Sequence, residues 1–79
     1  SKGDMPGMAS EDEFDELARL RGTDADRMFA QLMIDHHQGG IHMAEFVAEN
    51  GKSGEVRAMA TAMAESQRDE IAEIEARLD

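Results

Sequence analysis

No proline interrupts the stretch from Thr23 to Asn50, and the Asn50-Gly51-Lys52-Ser53 connection that follows leads directly into a second unbroken stretch ending at Leu78. Thr23-Asp24-Ala25-Asp26 reads as a helix start, with acidic residues where the helix dipole favours them. A helix over about 24–50 is roughly 40 Å long at 1.5 Å per residue. Ser53 reads as the cap of a further helix over about 54–78. So short a link between two long helices permits little but an antiparallel αα-hairpin.

Upstream, Ser10-Glu11-Asp12-Glu13 fits a capping box, so a short helix is expected over about 11–21, stopping at Gly22. Residues 1–9 hold Gly3, Pro6 and Gly7 and read as a flexible leader. The opening Ser1-Lys2-Gly3-Asp4, without an initiator Met, suggests a piece of something longer.

Apolar residues recur at helical spacing on both long segments. Phe29, Leu32, Met33, Gly40, Met43, Ala44 and Val47 form one stripe. Val56, Met59, Ala60, Met63, Ile71, Ile74 and Leu78 form the other. The fold class is therefore all-α: a helical hairpin with a short leading helix. Two single-striped helices cannot seal a core between them, so pairing of two hairpins into a four-helix bundle, as a homodimer, is the expected completion.

Composition narrows the function. With 79 residues and 4% aromatics the core is thin, and such domains lean on a metal, disulfides or a second copy. Cysteine is absent, which removes disulfides and thiolate sites. A net charge of −10 makes nucleic acid and anionic membrane surfaces poor partners. No apolar run approaches the roughly 20 residues of a membrane span.

The informative residues are polar ones on apolar stripes. His36 and His37 straddle the centre of the first stripe; Gln67 and Glu70 interrupt the second. Counting back from the turn puts these four at one height, with Met33 and Met63 beside them. Buried polar groups left without partners cost roughly 2–7 kcal/mol each, so this layer must satisfy itself, hold water or bind a metal. Hydrogen bonding that only sets helix register is one reading, and a metal site is the other. Acid–base catalysis finds no nucleophile or Gly-rich loop to support it, and the chain reads as a non-enzyme. His42 points to the opposite face.

Imidazole and thioether donors without thiolate suit copper better than magnesium, calcium or manganese. Seven Met in the chain strengthen that reading, above all Met5 and Met8, which have no core to fill. A ferritin-type iron site needs Glu-x-x-His, and Met33, Ile34 and Gly39 stand three before the histidines instead. His-Glu-x-x-His is also absent. Iron and zinc therefore rank behind copper. Gly39-Gly40 sits mid-helix at a cost of ~1 kcal/mol per Gly relative to Ala. Gly40 could make room for the histidines or for close helix approach.

The run Asp26-Arg27-Met28-Phe29-Ala30-Gln31-Leu32-Met33-Ile34-Asp35-His36-His37, then Ile41-His42-Met43-Ala44, then Ala60 and Gln67-Arg68-Asp69-Glu70-Ile71, resembles the CopM-like family. Its members are small ferritin-like helical proteins catalogued as a domain of unknown function. The resemblance covers Asp24 to Leu78 and departs from the family at Gly40, Ile74 and Arg77. It implies an exported, extracytoplasmic setting and one half of a tandem of hairpins. It also implies copper binding through Met33, His36, His37 and Met43.

Overall fold

The computed structural model describes residues 8–78; the expected leader, with Met5, lies almost wholly outside them. Three helices follow one another: α1 Glu11–Arg19, α2 Gly22–Asn50 and α3 Gly54–Arg77. The all-α hairpin with a short leading helix is thus the observed architecture, with α2 and α3 antiparallel and α1 touching α2 lightly.

Local chemistry explains most helix ends. The Ser10 hydroxyl accepts from the Glu13 N–H at 3.2 Å while the Glu13 carboxylate accepts from the Ser10 N–H at 2.9 Å, completing the capping box. Ser53 Oγ accepts from the Val56 N–H at 3.2 Å and starts α3. At the turn, the Gly51 N–H closes α2 on the Val47 carbonyl at 2.8 Å. The Arg57 guanidinium then donates to the carbonyls of Gly51 at 3.0 Å and Lys52 at 3.1 Å, clamping the loop from the first turns of α3. A Cβ on Gly51 would lie 2.7 Å from the Val47 carbonyl oxygen, so the tight reversal requires glycine.

The α1–α2 junction departs from expectation. α1 ends at Arg19, not at 21, and Gly22 opens α2 instead of stopping α1. Gly22 has φ +62°, a left-handed conformation that only glycine adopts at little cost, and it turns the chain straight into the next helix. The N-cap is consequently Arg21, whose side chain makes no cap bond to α2 and donates back to the carbonyls of Ala18 at 3.0 Å and Leu20 at 2.7 Å. α3 ends at Arg77, one residue short of expectation.

The seam between α2 and α3 is made of small residues. Ala30, Ile34, His37 and Ala44 from α2 and Ala60 and Ala64 from α3 are its buried members. Short side chains let the helices approach closely, and the larger residues of the expected core do not fit between them. Phe29, Met43, Val56, Met59, Met63 and Leu78, all expected in the core, are exposed. The apolar stripe is wider than the line of contact, and its bulky edge faces out of the hairpin. With principal extents of 45 × 32 × 12 Å, the molecule is a single layer about one helix thick.

Candidate functional site

His37 is the one buried polar side chain among the described residues, 8% exposed in a seam otherwise lined by alanine and isoleucine. Its Nδ1 lies 2.6 Å from the Met33 carbonyl oxygen one turn earlier. A carbonyl only accepts, so Nδ1 carries the hydrogen and the ring is fixed in orientation. Its Nε2 lies 2.7 Å from Glu70 Oε1 on α3, at hydrogen-bond distance. Both ring nitrogens thus have oxygen partners, and no buried side-chain polar atom among the described residues lacks one. The Glu70 side chain is 57% exposed, so its carboxylate reaches into the seam from the rim and keeps its second oxygen toward solvent.

Gln67 lies one turn nearer the hairpin end, packed on bare backbone. A Cβ on Gly40 would stand 2.6 Å from either polar atom of the Gln67 amide. Gly40 therefore makes room for the amide of α3 and not for the histidines. The two close glycines predict opposite outcomes. Gly51→Ala is expected to cost about 1–3 kcal/mol, since the obstructing Val47 carbonyl is backbone. Gly40→Ala is expected to be neutral or stabilising by up to about 1 kcal/mol, because the end of a flexible Gln67 can swing away while alanine favours the helix. Urea denaturation of both variants checks the pair, and the reverse order would contradict this packing.

His36 has the opposite environment to its neighbour. Successive helical residues point about 100° apart, and the two rings stand edge to face with centroids 6.1 Å apart. His36 is exposed, and it lines a groove with Met8, Phe14, Leu17, Phe29 and Met33. This groove, between the start of α1 and the first half of α2, gathers one imidazole and two thioethers, those of Met8 and half-buried Met33. Met43 is two turns further along α2, about 10 Å away. It lines a different, apolar groove with Val56, Met59 and Met63. His42 lies in an adjoining groove beside Glu13 and Asp35, which shares Met8, Ala9 and Leu32 with the His36 groove.

The residues expected to converge therefore divide. His37 meets Glu70 across the seam, while Gln67 packs on Gly40 one turn nearer the hairpin end. Met33 contributes its carbonyl to His37 and its side chain to the His36 groove; Met63 and Met43, the latter implied by the family resemblance, join neither. No cluster of three or more His, Asp or Glu side chains with metal-binding geometry occurs among the described residues. A tetrahedral ion would also hold its ligand atoms about 3.4 Å apart, wider than the 2.7 Å between His37 and Glu70. That pair fits a hydrogen bond. The His36 groove, by contrast, fits a soft ion by its donor chemistry.

Sequence reading missed the Arg57 clamp, which depends on where loop carbonyls point, and the Arg68–Glu45 ion pair joining the outer faces of α3 and α2. That pair is exposed and contributes little to stability.

Fold and site together define a class: a one-layer helical hairpin with a buried histidine bonded to a rim carboxylate and an outward histidine–methionine groove. The chain belongs to the DUF305 family, a domain of unknown function whose model matches residues 1–78. It is similar to the crystal structure of a DUF305 protein from Streptomyces coelicolor, itself described as a candidate secreted protein, with 41% identity and a TM-score of 0.80. The match covers 89% of this chain and 43% of that one, so this chain spans less than half its length. No curated protein matches. No helix among the described residues is long and apolar enough to cross a membrane.

Proposed function

We propose that this domain is a non-enzymatic, extracytoplasmic copper-binding module of the CopM-like kind, in which His36, Met33 and Met8 take the ion and the His37–Glu70 pair sets helix register. The observation that carries the reading is the contrast between adjacent histidines: both nitrogens of His37 are engaged, while His36 stands exposed among thioethers. Thioether and neutral imidazole are soft-to-borderline donors that favour Cu(I), with zinc weaker and calcium and magnesium far weaker. An exported setting is supported by the description of the Streptomyces coelicolor relative. Native mass spectrometry of the chain offered Cu(I), zinc and calcium in competition tests it. One copper per chain is the expected adduct, and zinc or calcium in first place would refute the donor assignment.

A second reading is a purely structural or oligomerisation module. The direct 2.7 Å contact between His37 and Glu70 favours it, because that layer is satisfied without a metal. The two readings separate on His36, which register alone does not need.

A further inference from the structure

Both long helices carry a seam of alternating 3- and 4-residue steps that the hairpin uses only by half. On α2 it runs Phe29, Met33, His36, Gly40, Met43, Val47; on α3 it runs Val56, Ala60, Met63, Gln67, Glu70, Ile74. Alternate members, Met33, Gly40 and Val47 with Ala60, Gln67 and Ile74, are buried or half-buried against the neighbouring helix. The others are exposed and look out of the layer on one side. This 3–4 spacing is the pattern by which helices pack in bundles, with both members of each step inside.

We propose that a second copy of this chain packs on that face, related by a two-fold axis parallel to the helices, so that α2 of each copy lies over α3 of the other. The His37–Glu70 contact fixes which residues of the two helices share a height. A rotation about an axis along the helices keeps each residue at its height, so α2 of one copy meets α3 of the other in the same order. His36 then comes over the second copy's Glu70, Met43 over its Met63, and Phe29 over its Arg77. Each meeting is chemically matched. Glu70 gives one oxygen to its own His37 and has the other free for the imidazole, which needs only one of its two nitrogens for the contact. Thioether packs on thioether, and a guanidinium covers an aromatic face. An axis across the helices would instead reverse the heights and stack like helix on like.

Size and charge agree. A face two helices wide and about 36 Å long offers roughly 650 Å², close to the ~800 Å² per partner of a stable interface. α1 adds Phe14, exposed at its flank. Although the chain carries a net charge of −10, the groove in the turn-side half of this face has no charged lining residue. The repulsion between like copies is thereby kept away from the contact. The docking does not depend on a bound metal.

Sedimentation of the chain in chelator at micromolar concentration tests the proposal. The expected species is a dimer of the 8.7 kDa chain. Met43→Lys and Met63→Glu, both at exposed positions, should each keep their helicity by circular dichroism and weaken association at least tenfold. Mixing the two variants should restore a dimer, because Lys on α2 of one copy then meets Glu on α3 of the other. A wild-type monomer with full helicity would overturn the proposal and leave the face to another partner, such as a hairpin elsewhere in a longer polypeptide. Failure of the mixture to associate would overturn the stated axis.

Discussion

Replacing His37 with alanine is expected to cost the hairpin about 3 kcal/mol. The imidazole is 8% exposed and fills the seam where α2 and α3 otherwise meet through alanine. Its loss opens a void that the rigid backbones of two helices cannot close, a large-to-small change of the kind that costs roughly 2–5 kcal/mol. It also removes the side-chain hydrogen bond across the buried seam between Nε2 and Glu70. The remaining carboxylate is more than half exposed and rehydrates, so no stranded charge adds to the penalty. Against a total stability of about 4–12 kcal/mol for a chain of this length, the change consumes a large share. A fall in melting temperature of more than about 10 °C should follow, at equal protein concentration because dimerisation contributes. Glu70→Gln, which keeps the shape and can still hydrogen-bond to Nε2, should lose only about 1 kcal/mol. A His37→Ala variant within 0.5 kcal/mol of wild type would mean that the pair does not hold the helices in register.

How much of this was legible from residues alone depends on the range of the interaction. The capping box at Ser10 and Glu13 is local, and both of its bonds are present. The Asn50–Ser53 turn is also local, and counting residues back from it sets His37 level with Gln67, about one turn short of its actual partner Glu70. Gly22 was misjudged because a glycine after a helix can end it or, at positive φ, begin the next; the choice lies in tertiary packing. The stripes revealed which residues are apolar but not which edge of each stripe faces the neighbouring helix. Alanine carries little weight in an apolar pattern, yet Ala60 and Ala64 form the seam while Met59 and Met63 stand outside it. Two adjacent histidines astride one stripe cannot both face inward at 100° per residue, and only the packed hairpin decides between them. The division of His36 from His37 therefore appears with tertiary structure.

That division yields the second large effect. His36→Gln is expected to lower Cu(I) affinity at least 100-fold while leaving the helicity of the metal-free chain unchanged by circular dichroism. The groove loses its only imidazole, and the two remaining thioethers of Met8 and Met33 hold Cu(I) far less tightly. The side chain is exposed and crosses no part of the α2–α3 seam, so its folded role within one copy is small. His37→Gln should do the converse, lowering stability while leaving copper affinity within a few-fold, provided measurements are made where the variant is folded. His42→Gln, in the adjoining groove on the polar side of α2 beside Asp35 and Gln38, should change neither. The most direct test is a competition titration of wild type, His36→Gln and His37→Gln against a chromogenic Cu(I) chelator. The account predicts one tight site in wild type, its retention in His37→Gln and its loss in His36→Gln; tight binding that survives in His36→Gln and disappears in His37→Gln would contradict it.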